Sequence, residues 1–261
     1  MTTVIVPVDF SETSLNAARY AAQLLVGHYG VTIVLYHSYA KPADKEEVET
    51  ELNALKVDLM NKFIVKVETL AHEEDDFVEG LERAARHRRA DLVIMGIAGK
   101  SAIAQVLFGS NTLKMAETKV CPVLIVPEAA SFLPIKNVML TSDFKDTLNA
   151  TPSVPIKNFL DLFHPKLHIV NVDKDHYISI TENYEKEKHD LVTLFSSYHP
   201  EFYFMRLYDV DEALELFAAD RDIDLIITIQ RDHSFIERFF RTNRTKKLSF
   251  HSKMPILVIH E

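Results

Sequence analysis

Val4-Ile5-Val6-Pro7-Val8-Asp9-Phe10 returns 134 residues later as Val138-Met139-Leu140-Thr141-Ser142-Asp143-Phe144. Asp91-Leu92-Val93-Ile94 returns as Asp224-Leu225-Ile226-Ile227, and Pro122-Val123-Leu124-Ile125-Val126 as Pro255-Ile256-Leu257-Val258-Ile259, both at an offset of 133. Any two buried strands share apolar residues, but not Asp-Phe, Asp-Leu and Pro at matching places in matching order. The chain therefore reads as one fold written twice. The copies span residues 1–130 and 135–261, and the join lies in residues 128–134, which lack periodicity and end in proline.

Within each copy, short β-branched apolar runs alternate with longer segments of helical period. The runs are residues 4–8, 31–37, 63–69, 91–96 and 122–126, then 138–141, 167–172, 202–207, 225–229 and 256–259. Nearly continuous apolar runs indicate strands buried on both faces, as in a parallel sheet. Ser11 is placed to cap the first helix, whose Leu15, Ala18, Ala22 and Leu25 share a face. Segments 43–61, 76–89 and 111–119 have the same helical character. The fold class is α/β: two tandem doubly wound domains, each a five-stranded parallel sheet flanked by helices. In such sheets ligands sit at the carboxyl ends of the strands, where strand order reverses.

Composition narrows the function classes. The 261 residues are 47% hydrophobic and 26% charged, enough for two ordinary cores. Lys+Arg 29 against Asp+Glu 38 gives a formal net charge of -9, which argues against nucleic-acid or anionic-membrane binding. A single cysteine, Cys121, excludes an intrachain disulfide framework and a cysteine-rich zinc site. No basic segment followed by an apolar run opens the chain and no run of eighteen apolar residues follows, so a cytoplasmic location is expected.

The chemistry-bearing stretch is Gly96-Ile97-Ala98-Gly99-Lys100-Ser101, followed after residue 108 by Gly109-Ser110-Asn111-Thr112. It is Gly-x2-Gly-x9-Gly-Ser between a buried strand and a helix start. Glycines let backbone N–H groups approach an anion, and a helix N-terminus adds unpaired N–H groups and a favourable dipole. Ser110 and Thr112 add hydroxyl donors. All six glycines of the chain fall in the first copy, three of them in this loop. A P-loop is excluded, since the position that would need its first glycine is Ile94, inside the strand.

These motifs resemble the universal stress protein family over the whole chain, as two tandem copies. The resemblance rests on Val6-Pro7-Val8-Asp9-Phe10-Ser11, on Gly96-x2-Gly99-x9-Gly109-Ser110, and on Cys121-Pro122-Val123-Leu124-Ile125-Val126. The glycine spacing is that of the ATP-binding members. The resemblance implies strand order 3-2-1-4-5, and a pairing of last strands that a tandem chain could make internally as a pseudo-dimer, with a homodimer also open. It implies ATP, with Mg2+, in the first copy. Pro7, Val8 and Asp9 would line the adenine and ribose side, with Ser11 towards the phosphates. Ser38 holds the position whose backbone faces adenine, where family members often carry an apolar residue. Met95, Gly96 and Gly99 would line ribose and phosphates, and Gly109, Ser110, Asn111 and Thr112 would cradle the triphosphate. Lys100 is either a countercharge or a solvated surface lysine.

In the second copy Gly96 becomes Ile229, Gly99 becomes Asp232, Gly109 becomes Thr242 and Ser110 becomes Asn243, while Asp143 keeps the place of Asp9. The expectation is one nucleotide per chain, bound by the first copy. Elsewhere the simpler readings are preferred. His37 is a satisfied core histidine, His72-Glu73-Glu74-Asp75-Asp76 a solvated acidic loop before a helix, and Cys121 a buried small residue. The basic and aromatic stretch 231–247 is an amphipathic helix, and the arginines from Arg83 to Arg89 suit a helix C-terminus. No catalytic residue and no resident metal ligand is assigned. The favoured function is an ATP-binding regulatory protein. A slow ATP hydrolase or phosphotransfer enzyme, and a nucleotide-free interaction module, stay open.

Overall fold

The structure is a computed structural model, and it describes residues 1–97, 108–173, 182–206, 210–230 and 253–261. The chain divides into two units, Met1–Phe132 with His251–Lys253, and Leu133–Phe250 with Met254–Glu261.

The first unit runs β1 (Thr3–Pro7), α1 (Glu12–Leu24), β2 (Thr32–Tyr39), α2 (Lys45–Lys62), β3 (Lys66–Glu73), α3 (Phe77–Arg88), β4 (Leu92–Ile97), α4 (Phe108–Glu117) and β5 (Val123–Pro127). Its strands are parallel in the order β3-β2-β1-β4-β5. The chain walks outward from β1 to β3, then crosses back to β4 on the other side. Strand order therefore reverses between β1 and β4. The central strands are the apolar runs, and Val4, Ile5, Val6, Val93 and Ile94 have no solvent exposure. Ser11 caps α1 as expected, its side chain accepting from the Ser14 N–H. The face that α1 buries is Ser14, Ala17, Ala18, Ala21 and Leu24, with Leu15 half-buried at its margin. Asn16, beside that face, donates to the carbonyls of Pro127, Glu128 and Ala130 and holds α1 to the end of β5. Two element starts lie three residues from the sequence expectation. β3 begins at Lys66 rather than 63, because α2 runs on to Lys62 and Phe63 closes it by donating to the Leu59 carbonyl at 2.8 Å. α4 begins at Phe108 rather than 111, which puts Gly109 and Ser110 inside its first turn.

The second unit runs β6 (Asn137–Thr141), α5 (Thr147–Ala150), α6 (Ser153–Phe163), β7 (Lys166–Asp173), α7 (Glu182–Leu194), β8 (Glu201–Arg206), α8 (Val210–Asp220), β9 (Leu225–Gln230) and β10 (Ile256–His260). It is again all parallel, in the order β8-β7-β6-β9-β10. The helix after the first strand is broken here into α5 and α6. Pro152 stands at the break, where it has no N–H to give to a continuous helix.

The residues shared by the two copies have structural work to do. Asp91 lies just before β4, and its Oδ2 accepts the N–H of Thr2 at 2.6 Å and of Thr3 at 3.0 Å. Asp224, just before β9, accepts the N–H of Lys136 at 2.8 Å and of Asn137 at 2.9 Å. Each carboxylate thus pins the start of the strand that crosses beside it. Phe10 and Phe144 both take a left-handed backbone, at φ 62° and 54°. Bulky residues reach that region at a cost of about 1–2 kcal/mol. Its recurrence marks the same sharp exit from β1 and from β6.

Burial alone would raise the Asp91 carboxyl, but the amides of Thr2 and Thr3 outweigh it and hold the group below its ordinary value. Asp91→Ala is expected to destabilise the first unit by about 1–3 kcal/mol in urea unfolding, since two amides lose their acceptor. A depressed carboxyl contributes fully above its unfolded value near pH ~4, and that contribution is lost as pH falls through the lower folded value. The gap between wild type and Asp91→Asn should therefore close below pH ~4.

Candidate functional site

At the carboxyl end of β1 the chain must leave a strand buried on both faces and enter α1 within four residues. The left-handed turn at Phe10 does this and points Asp9 back over the sheet. Asp9 Oδ1 accepts from the Ser11 N–H at 3.1 Å and from the Ser11 hydroxyl at 2.6 Å. The Asp9 N–H donates to Ser14 Oγ at 3.2 Å, and the Ser14 hydroxyl donates to the Ser11 carbonyl at 3.0 Å. The turn is clamped from β2 as well. His37 Nδ1 donates to the Val8 carbonyl at 2.7 Å, and its ring stacks on Phe10 with centroids 5.2 Å apart. His37 is thus the satisfied histidine its sequence position suggested. One atom of this network is left over: Asp9 Oδ2 is buried and has no hydrogen-bond partner.

That oxygen belongs to a residue lining a cavity of ≈ 150 Å³. From the β1 exit come Pro7, Val8, Asp9 and Ser11, and from α1 Thr13 and Ser14. Met95 and Gly96 close it from β4, Asn111 and Thr112 from α4, and Phe77 from the start of α3. The position is the reversal point between β1 and β4, where ligands of doubly wound sheets sit.

Gly96 is needed here for a reason the loop spacing did not disclose. A Cβ on Gly96 would stand 2.5 Å from the Thr13 carbonyl oxygen and 2.8 Å from Thr13 Cγ2. The bare α-carbon lets the start of α1 close onto β4. The Gly96 carbonyl accepts the Thr112 hydroxyl at 2.8 Å, which ties α4 to the same point. Thr112, expected to offer its proton to phosphate, therefore has that proton engaged by the protein. Its neighbour Asn111 keeps its place on the lining. The first turn of α4, residues 108–111, carries N–H groups without intrahelical acceptors and the positive end of a ten-residue helix dipole.

Eight of the thirteen expected site residues converge on this cavity: Pro7, Val8, Asp9, Ser11, Met95, Gly96, Asn111 and Thr112. Gly109 and Ser110 lie in the first turn of α4. Gly99 and Lys100 fall outside the described residues, as do Asp232, Thr242, Asn243 and the stretch 231–247. Ser38 is not on the lining. It sits beside the Tyr36 hydroxyl, which burial pushes up to about 12 while Ser38 pulls the other way. Thr13, Ser14 and Phe77 were missed. Phe77 had a signal: it opens the helix after β3, and in a parallel sheet that helix start must lie at the carboxyl end.

Phe77 and Asn111 also border a wider, acidic cleft with Asp75, Asp76, Glu79, Glu82 and Lys114. Asp76 there is a helix cap, accepting from the Val78 and Glu79 N–H groups at 2.9 and 3.0 Å. Among the described residues no three His, Cys, Asp or Glu side chains gather as metal ligands. Cys121 is buried, and burial, with the Asp91 charge behind it, pushes its thiol up to about 12, which leaves it protonated and inert.

Comparison with known proteins finds similarity of family over the first unit and of fold over the whole chain. Residues 1–127 match the Universal stress protein family. A universal stress protein of Methanocaldococcus jannaschii is 28% identical over 47% of this chain and 80% of its own. A Thermus aquaticus universal stress protein is 28% identical over 48% of this chain and 97% of its own. Over the full length, a universal stress protein from Archaeoglobus fulgidus has the same fold, with TM-score 0.68 at 16% identity, covering 99% of this chain and 98% of that one. Among the described residues no helix is long and apolar enough to cross a membrane.

Gly96→Ala tests the close approach. The added methyl meets backbone rather than a flexible side-chain tip, so overpacking of about 1–3 kcal/mol is expected in denaturant unfolding. Exchange of α1 amides should rise while α2 stays protected.

Proposed function

We propose that the chain is a tandem universal stress protein whose first unit binds one adenine nucleotide, as ATP with Mg2+, and whose output is regulatory rather than catalytic. The observation that carries this reading is the orphaned Asp9 Oδ2 on the lining of a crevice that also receives the start of α4. A buried carboxylate oxygen needs a donor, and the hydroxyls of a ribose or the amine of a base supply one. It also repels phosphate: two such charges at ~4 Å and an effective dielectric of ~20 cost about 4 kcal/mol. The sugar and base would therefore lie against Asp9, Pro7, Val8 and Met95. The anionic end would turn to the first-turn amides of α4 at Gly109, Ser110 and Asn111. ATP, when bound, would supply charge and shape to those amides, and the protein would respond by mass action. A ligand held only by the folded state adds ~2.7 kcal/mol at a hundredfold excess over Kd.

Two features of the second unit support a single site. Ile229 holds the place of Gly96, so a helix start cannot close onto the strand there as Thr13 does. The first N–H of α5, that of Thr147, instead donates to Glu187 Oε2 at 2.7 Å, a carboxylate of α7 that is itself buried. The hydrolase reading is disfavoured because hydrolysis needs a group that positions water at the γ-phosphate. Asp9 is the one carboxylate on the described lining, and it is bound to the Ser11 turn.

Calorimetry of the full chain with Mg-ATP should give one site. Asp9→Asn should weaken binding about 10–100-fold, the worth of a hydrogen bond to a charged group, and Asp143→Asn should leave it unchanged. Two equivalent sites, or equal affinity for Asp9→Asn, would overturn the proposal. Steady ADP release would favour the hydrolase.

A further inference from the structure

β7 carries His168 opposite Met139 of β6, at the register position that Val34 holds opposite Ile5 in the first unit. Val34 is 1% exposed and His168 is 2% exposed, so an ionisable ring has replaced an aliphatic side chain in a closed site. Neither of its ring nitrogens has a hydrogen-bond partner. The ring is boxed by Tyr203 and Phe217, with centroids 5.7 and 6.0 Å away, and those two rings meet edge to face at 4.7 Å.

The charged groups facing this box come from each element packed on it. Lys166 lies on β7 itself, Glu201 and the Tyr203 phenol on β8, and Asp220 and Arg221 at the end of α8. Glu201 Oε2 is 3.8 Å from His168 Nδ1, too far for a hydrogen bond. Its carboxylate is already engaged, with Lys166 Nζ at 2.6 Å and the Tyr203 hydroxyl donating to it. Lys166 and then Tyr203 hold it down at about 2, so it stays ionised through the neutral range. The Arg221 guanidinium lies 5.1 Å from the Tyr203 ring centroid, which adds positive charge on that side.

We propose that His168 is an acid-responsive switch of the second unit: its neutral ring fits the closed aromatic box, and taking up a proton opens the corner formed by β7, β8 and α8. The first unit shows that the fold itself asks only for valine there. Burial pushes the imidazole below its ordinary value, more strongly than Glu201 raises it, and Lys166 and Arg221 push it further down. An unfolded histidine gains its proton near pH ~6.5. The second unit is therefore at full stability above that pH and loses it as pH falls towards the lower folded value.

The test is hydrogen exchange of β7 and β8 amides in the full chain, wild type against His168→Val, from pH 7.5 to 5. The ratio of wild-type to variant protection should be constant above pH ~6.5 and fall about tenfold per pH unit below it. First-unit amides should show no such change. Parallel protection curves in the two proteins would overturn the proposal. Should His168→Val fail to fold, the ring carbon signal of His168 in wild type decides. A neutral ring at pH 6 in the folded protein supports the switch, and titration near pH ~6.5 removes it.

Discussion

The Thr13 carbonyl occupies the space that a side chain on Gly96 would need, and the crevice of the first unit follows from that approach. With α1 drawn onto β4, the β1 exit is compressed into four residues through the left-handed turn at Phe10, a turn that the second unit repeats at Phe144 without the glycine. The turn brings Ser11 and Ser14 under Asp9 and consumes one carboxylate oxygen in capping the turn, leaving the other facing inward. Thr112 then hangs α4 from the carbonyl of the same glycine. The bare α-carbon of Gly96 thus lets the start of α1 meet the end of β4, and its carbonyl holds α4 at the same point.

The second unit keeps the frame and changes its contents. The Ser142 N–H donates to the Val170 carbonyl as the Val8 N–H does to Tyr36, and Asn171 donates to the Ser142 carbonyl as His37 does to Val8. Ile229 stands in place of glycine, and the first helix is broken at Pro152. Phe144 packs with Tyr184 of α7 and Phe204 of β8, both ring centroids 5.4 Å away, and Phe204 holds the strand position where the first unit has the small Ala71. Such a substitution fills space that the first unit leaves open. Repetition of the backbone bonds with divergence of the side chains is what a framework freed from ligand binding would show.

What could be read from the residues follows the same division. Strands, parallel order and the paired Asp91 and Asp224 were legible because burial on two faces writes itself as unbroken apolar runs and because a carboxylate at a strand start recurs. Ser11 as a cap and His37 as a satisfied ring were legible because their partners are local or fixed by strand register. The purpose of Gly96 was not, since spacing reveals where glycine stands but not which backbone approaches it. Thr112 was assigned to phosphate because its hydroxyl lies on the right turn, and only geometry reveals that a carbonyl already takes its proton. Ser38 was carried to the site by resemblance alone, and it is not among the residues that line the crevice. Phe77 went unnoticed because an aromatic at a helix start looks like core until the topology places that start beside the reversal point.

The distribution of charge gives the crevice a direction. Its inner wall offers an unpaired acceptor at Asp9, and its outer border carries Asp75, Asp76, Glu79 and Glu82 against Lys114. Under the proposed reading an anion would turn to the first-turn amides of α4, at the positive end of its helix dipole. The proposed ligand answers both ends, with hydroxyl or amine donors for Asp9 and negative charge for the start of α4. In the second unit it is the start of α5, which follows the first strand as α1 does, that receives a carboxylate from its own chain, Glu187, while the counterpart of α4 lies outside the described residues.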